Sequence, residues 1–406
     1  MRRVSLGSAL LAGAGILGIV TGMTPMAVGM SMVGALFASG TLLVSAVVFL
    51  IMVLSHFMEK SGQMERLLMA FRGISRNARA NLVLFPVLIG LLPMPGGAVF
   101  SAPLVEATAR EQNLGEGEKA LVNYWFRHIW EFSWPLYPGI LLTAKLSGIS
   151  LALLAPANLP MTLAALLLGH RVLLGGVSGR VKGGEAAGGG WRPFLWEFAP
   201  IAVTVFGFAL LELILPEFSA TFPALADLPP EAPLVAALAA AIAWTAAANR
   251  AGWATARGIV TQKALWRMVY LIAAIMVFSG VLEDSGTVAA ISSELLRWRV
   301  PTIAVAVLLP FVVGLVTGVT VAFVGTALPI VLGLASGPEG HKLAYVVLAF
   351  MSGYTGVLCT PVHACLALTL AYFSTGFAAV GRKLFALCGG VAASGLALFG
   401  VYYAFS

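Results

Sequence analysis

A twelve-residue segment of this chain is written twice. Residues 52–63 read MVLSHFMEKSGQ and residues 276–287 read MVFSGVLEDSGT, with six of the twelve positions identical. The second copy lies 224 residues after the first, and the match extends outward: Ser55 pairs with Ser279, Glu59 with Glu283, Pro86 with Pro310 and Gly90 with Gly314. The displacement then becomes 226, pairing Pro103 with Pro329 and Pro135 with Pro361. Prolines and glycines that recur in register mean recurring breaks in the backbone, which shared hydrophobicity alone does not produce.

The material of the two copies sets their solvent. The chain is 60% apolar and only 10% charged, against about 25% charged in soluble globular proteins. Several runs exceed the ~18 apolar residues that mark a bilayer span. The expectation is an all-α polytopic membrane protein forming one integrated bundle. The net charge of +7 is not a nucleic-acid signal, because the basic residues fall in short loops, as in the cytoplasmic loops of membrane proteins. Met1-Arg2-Arg3 and the apolar run after it mimic a signal peptide, but the run has a counterpart in the second copy and reads as a span. Cys359, Cys365 and Cys388 read as small buried hydrophobes, with no CxxC and no Cys/His metal spacing. No P-loop, GxSxG or HExxH occurs, so neither a cofactor nor a metal is expected, and nothing suggests primary active transport.

Each copy reads as the same series. A first span (about 4–22; about 231–248) leads through a short linker to a second (about 40–59; about 264–283). An interrupted apolar stretch follows (about 80–107; about 300–335), then a long helix with a proline in its middle (about 120–147; about 343–373) and a closing span (about 150–174; about 385–405). The chain thus divides into a first repeat (1–175), a glycine-rich cytoplasmic linker (176–193), a connecting helix and outer loop (194–230) and a second repeat (231–406).

The interrupted stretches decide the topology. Leu82–Leu92 and Ala98–Ala109 are arms of about a dozen residues, roughly 18 Å each and about half of a ~30 Å hydrocarbon core. Pro93-Met94-Pro95-Gly96-Gly97 between them cannot continue a helix. A re-entrant hairpin fits, its irregular backbone buried in protein or lining a cavity. Each copy then crosses four times and the connector once, about nine spanning helices in all. The odd connector inverts the second copy. With the amino terminus inside and the carboxyl terminus outside, 18 of the 24 Lys and Arg residues fall on the cytoplasmic side, as the positive-inside rule requires.

Chemistry is expected where the breaks meet. The first hairpin tip offers Pro95, Gly96, Gly97 and Ser101. Half-helix amino termini there favour an anion, and the glycines let it approach the backbone; the alternative is a simple kink. The second tip offers Thr317, Gly318 and Thr320, whose hydroxyls serve a ligand or their own helix. The broken helix of copy one carries Asn123, Arg127, His128 and Glu131, the last three spaced to meet on one helical face. Charged groups at such depth cost about 2.5–3.5 kcal/mol each, so they face protein or water. Arg127 suits a carboxylate or phosphate, and His128 with Glu131 suits proton coupling; the alternative is a structural ion pair. Copy two has Gly353, Tyr354 and Val357 at those positions, and instead offers Thr355, Thr360 and His363. His363 reads equally as a hydrogen-bonded core histidine.

The stretches LLPMPGGAVFSAPLV (91–105) and NYWFRHIWEFSWPLYPG (123–139) resemble a family of prokaryotic integral membrane proteins, domain of unknown function 401. That family is distantly similar to the ion-transporter superfamily of gluconate, citrate and C4-dicarboxylate permeases. The resemblance implies an inverted-repeat transporter with two re-entrant helical hairpins and two broken helices, an elevator-type motion, a homodimer and a prokaryotic inner-membrane location.

The expected function is secondary transport of a small anion, an organic acid, coupled to H⁺ or Na⁺. The partners are that substrate and membrane lipids, with no nucleic acid. The alternatives are a membrane-embedded enzyme acting on a lipid-linked substrate and an ion channel.

Overall fold

A computed structural model describes residues 5–94, 97–179, 190–219, 221–335 and 339–405. The amino-terminal Met1-Arg2-Arg3, the tip residues Pro95 and Gly96 and most of the glycine-rich linker lie outside these residues. The regular elements are helices. Copy one comprises α1 (Leu6–Val20), α2 (Pro25–Phe37), α3 (Ser39–Lys60), α4 (Gln63–Arg72), α5 (Ala78–Gly90), α6 (Ala98–Arg110), α7 (Glu116–His128), α8 (Pro138–Ser147) and α9 (Leu151–Leu173). The connector is α10 (Trp191–Ser219). Copy two comprises α11 (Ala232–Ala248), α12 (Trp253–Val260), α13 (Lys263–Asp284), α14 (Thr287–Arg297), α15 (Thr302–Thr317), α16 (Thr320–Thr326), α17 (Leu328–Leu334), α18 (Glu339–Cys359), α19 (Ala364–Tyr372) and α20 (Phe377–Ala404).

The repeat holds element by element. α3, α4 and α5 start 224 residues before α13, α14 and α15, while α8 and α9 start 226 before α19 and α20. The duplicated twelve-residue segment closes α3 and α13. Gly62 and Gly286 follow at φ of 69° and 68°, the left-handed region that glycine enters without steric cost. Each supplies the turn into a short amphipathic helix.

Those short helices correct the linker assignment. Residues expected to join the first two spans form α2, opened by Thr24, whose side chain accepts from the Ala27 N–H, with Pro25 at the first helical position. α4, α12 and α14 likewise occupy segments read as connections. α4 buries Met64, Leu67, Leu68 and Phe71 while Arg66 and Arg72 point outward. α4, α12 and α14 are too short and too amphipathic to register as spans, while α2 is apolar but only 13 residues long.

Six helices among the described residues are long and apolar enough to cross a bilayer. α1 and α11, counted as crossings from sequence, have 15 and 17 residues, about 23 and 26 Å at 1.5 Å per residue. The hairpin arms α5 and α6 have 13 residues each, with Pro86 and Pro103 inside them.

Packing sorts the helices differently from sequence order. α1–α4 pack with α10–α14, and α5–α9 pack with α15–α20. The two sets meet mainly where α3 touches α8, α4 touches α5, α13 touches α16 and α14 touches α17. Each set therefore draws helices from both copies: among the described residues, four from each beside the connector α10 in the first set, and five and six in the second. The second set holds both hairpins and both broken helices.

Within that set, the same close approach occurs twice. Gly90 of α5 lies against the backbone carbonyl of Arg127, and Gly314 of α15 against that of Gly353. A Cβ at either glycine would collide with backbone. The paired glycines thus let each hairpin seat on its broken helix.

Candidate functional site

The break in copy one begins at His128. α7 ends there, a 3-10 turn runs from Ile129 to Phe132, and α8 starts only at Pro138. In copy two, α18 continues to Cys359 and the break is confined to Thr360–His363. The side chains around these breaks are buried: Arg127 is 2% exposed, His128 1% and Glu131 9%.

Arg127 reaches across to the first hairpin. Its Nη2 donates to the Met94 carbonyl at 2.9 Å, and Gly97 lies against the guanidinium, where a Cβ would be 2.6 Å from Nη2. Nη1 sits 3.3 Å from His128 Nε2 and 3.6 Å from Cys365 Sγ. Among the described residues Nε has no hydrogen-bond partner. Among the described residues the hydrogen-bond partners of this buried cation are formally neutral groups. The expected Arg127–Glu131 contact does not form, because the α-helix stops before Glu131 and the i,i+4 geometry is lost; among the described residues no ion pair or hydrogen bond joins the two.

Glu131 turns instead toward copy two. Its Oε2 accepts from Thr320 Oγ1 at 3.5 Å, and its Oε1 is 3.9 Å from His128 Nε2. Thr320 opens α16 and packs its methyl against Gly139 in the first turn of α8. The amino termini of two half-helices, one from each copy, therefore meet beside this carboxylate.

His128 and His363 join the two breaks. His128 Nδ1 is 2.6 Å from the Tyr124 carbonyl, His363 Nδ1 is 2.8 Å from the Gly318 carbonyl, and the two Nε2 atoms are 3.2 Å apart. Tyr354 Oη donates to the His128 carbonyl at 2.9 Å and Tyr137 Oη to the Gly90 carbonyl at 2.6 Å, satisfying backbone that the break exposes.

The expected residues thus separate. Gly97, Arg127, His128, Glu131, Gly318, Thr320 and His363 come together. Ser101 donates to Asn123 at 2.6 Å and Asn123 to the Ala98 carbonyl at 2.9 Å, so this pair stitches α6 to α7. Thr317 donates to Val313 of its own helix, and Thr360 accepts from the Val362 N–H within the break. Cys365, Tyr354 and the Met94 carbonyl were not expected. The spacing His363-x-Cys365 just after Pro361 was the one signal available for Cys365.

Copy two shows why the charge is not duplicated. At the position of Arg127 stands Gly353, and the ring of Phe323 packs against it. At a displacement of 226, Phe323 is the counterpart of Gly97. Copy one therefore has glycine on the hairpin and a large side chain on the broken helix, and copy two has the reverse.

A cavity of about 610 Å³ lies elsewhere, lined by residues such as Val44, Lys145, Phe208, Glu212 and Glu231 of α3, α8, α10 and the approach to α11. It borders the contact between the two helix sets. None of the buried ionisable residues at the breaks lines it.

The chain superposes on a crystal structure of the Alcanivorax borkumensis YdaH transporter with a TM-score of 0.69, covering 98% of each chain at 14% identity. The two share a fold: a multi-pass membrane protein built from apolar helices, with a transporter as structural neighbour. No curated protein matches the chain. The family model described as a protein of unknown function, DUF401, matches residues 1–227 and 231–402. The chain belongs to the DUF401 family.

Proposed function

We propose that this protein is a secondary transporter that carries a small organic anion across the prokaryotic inner membrane, with Arg127 receiving the anion. One observation carries the reading: among the described residues a buried guanidinium has only formally neutral hydrogen-bond partners and no partner at Nε. A buried charge without a directly paired counter-charge costs free energy, and an anionic ligand beside the hairpin tip offsets it. The α6 amino terminus next to Gly97 adds the partial positive charge of a helix start. The fold shared with a transporter supports the class.

Coupling falls to His128 and Glu131, which take up a proton from the aqueous side with the entering ligand and release it to the opposite side when the ligand leaves, or to Na⁺ held by backbone carbonyls at the breaks. In this reading the set α5–α9 with α15–α20 moves as a body against α1–α4 with α10–α14, an elevator motion within a homodimer. The amino terminus lies inside and the carboxyl terminus outside. The few contacts between the sets support that motion.

The test is flux in proteoliposomes, after a thermal-shift screen of carboxylates, sugar acids and phosphonates has named a substrate. A ligand at ~100 times its Kd stabilises the fold by about 2.7 kcal/mol. Arg127→Ala and Glu131→Gln are expected to lower flux about 10- to 100-fold, the equivalent of one charged hydrogen bond. Normal flux in both variants would place the site elsewhere.

A further inference from the structure

The two histidines face each other through the wrong atoms for neutral rings. A carbonyl oxygen only accepts, so the Nδ1 of His128 facing the Tyr124 carbonyl carries its proton, as does the Nδ1 of His363 facing the Gly318 carbonyl. Each Nε2 then presents a lone pair, and the two lone pairs meet across 3.2 Å. Arg127 Nη1 meets the His128 lone pair from one side at 3.3 Å, and a cation between the rings would serve both lone pairs at once. The Sγ of Cys365 joins them, the three donor atoms lying within 4.8 Å of one another.

We propose that His128 Nε2, His363 Nε2 and Cys365 Sγ form a binding site for one divalent cation of the zinc class, joining the broken helices of the two repeats. Two nitrogens bound to one tetrahedral zinc at about 2.0–2.1 Å stand roughly 3.3 Å apart, close to the separation already present. The bonds from Nδ1 to backbone carbonyls are the outer interactions that fix the tautomer and aim of metal-binding histidines. Imidazole and thiolate select zinc, cobalt or copper over magnesium and calcium. Binding replaces the thiol proton of Cys365 with the metal and releases that proton to water. The thiolate and the nearby Glu131 carboxylate offset charge that Arg127 and the cation bring together. Arg127 Nη1 points at His128 Nε2 and Cys365 Sγ in the present structure, so metal entry displaces this contact. The site shares His128 with the proposed proton coupling and touches Arg127, but metal binding is read directly and does not require anion flux, so the two readings fail separately.

The test uses the purified full-length protein in detergent, stripped with a chelator and titrated with Co²⁺ alone. One equivalent is expected to bind, with the visible bands of tetrahedral cobalt and a thiolate-to-cobalt charge-transfer band, both removed by one equivalent of Zn²⁺. Cys365→Ser abolishes the charge-transfer band, while Cys359→Ser and Cys388→Ser leave it. His363→Asn, whose amide nitrogen takes the place of Nδ1 and keeps a donor for the Gly318 carbonyl, lowers affinity by more than the roughly 10- to 100-fold typical of outer-shell changes. If His363→Asn does not purify folded, the cysteine variants decide. Folded protein without cobalt bands, or bands that survive Cys365→Ser, would overturn the site, the first of these leaving a shared proton between the rings.

Discussion

Gly97 lies directly against the guanidinium of Arg127, close enough that a single added Cβ would come within 2.6 Å of Nη2. The hairpin tip and the buried cation are thus fitted to each other, and the corresponding place in copy two holds the inverse arrangement of Phe323 on Gly353. Gly97→Ala therefore moves the end of a side chain. Gly90→Ala presses a methyl group on the carbonyl of Arg127, which cannot give way. The expected outcome is a split: Gly97→Ala lowers anion flux by about 10-fold at near-normal thermal stability, while Gly90→Ala and Gly314→Ala each cost about 1–3 kcal/mol or more. Gly389→Ala, with open space around it in α20, is the control and should be neutral or stabilising by up to ~1 kcal/mol. Thermal midpoints in detergent, ranked across the four variants, check this.

Arg127→Lys keeps the charge but loses the planar fork. A lysine ammonium can meet the Met94 carbonyl, yet it cannot also span to His128 and Cys365 and leave a nitrogen for a ligand. Protein yield and thermal midpoint should stay near those of the parent. The apparent affinity for the transported anion should weaken about 10-fold or more. Substrate titrations by thermal shift measure it, and unchanged affinity would remove Arg127 from the binding site.

Tyr354→Phe tests how the break is held. The ring packs edge-on against Phe132 with centroids 4.7 Å apart, and the substitution keeps this contact while removing the donor to the His128 carbonyl. A buried acceptor left unsatisfied costs about 1–3 kcal/mol. A matching drop in thermal stability is expected. Tyr137→Phe, which frees the Gly90 carbonyl, should behave alike.

Glu118 and Lys383 tie α7 to α20 with Oε1 and Nζ 2.7 Å apart, on side chains about half exposed. The Lys383 hydrogen bond holds the Glu118 carboxyl below its ordinary range. A lowered folded-state pKa contributes stability that is fully present above the unfolded value, about 4.3 for Glu, and is lost as pH falls through the folded value. Solvent screening limits the effect to a few tenths of a kcal/mol. The thermal midpoint of Glu118→Gln should sit slightly below the parent at pH 7, and the gap should close as pH falls below about 4 and on adding salt. A gap that persists at low pH would show that the pair is not its source.

The membrane solvent, the two copies and the places where helices break were legible in the sequence. Composition fixes the first. Prolines and glycines repeated at displacements of 224 and 226 fix the rest, because a backbone break is a local property of the residues that make it. The same locality explains what was missed at the level of elements. α4 and α14 are short amphipathic helices whose charged faces hide them from a search for apolar spans.

The sequence placed Arg127, His128 and Glu131 together on one helix face, and there the tertiary structure disagreed. α7 ends at His128, so Glu131 swings to Thr320 of the other copy while Arg127 turns to the first hairpin. The meeting of His128 with His363, 235 residues away, has no local signature. It depends on how two hairpins seat on two broken helices, through glycines at Gly90 and Gly314 that permit backbone contact. Periodicity records which face of a helix is apolar and where it stops; only the packed bundle decides which buried polar atoms end up facing one another.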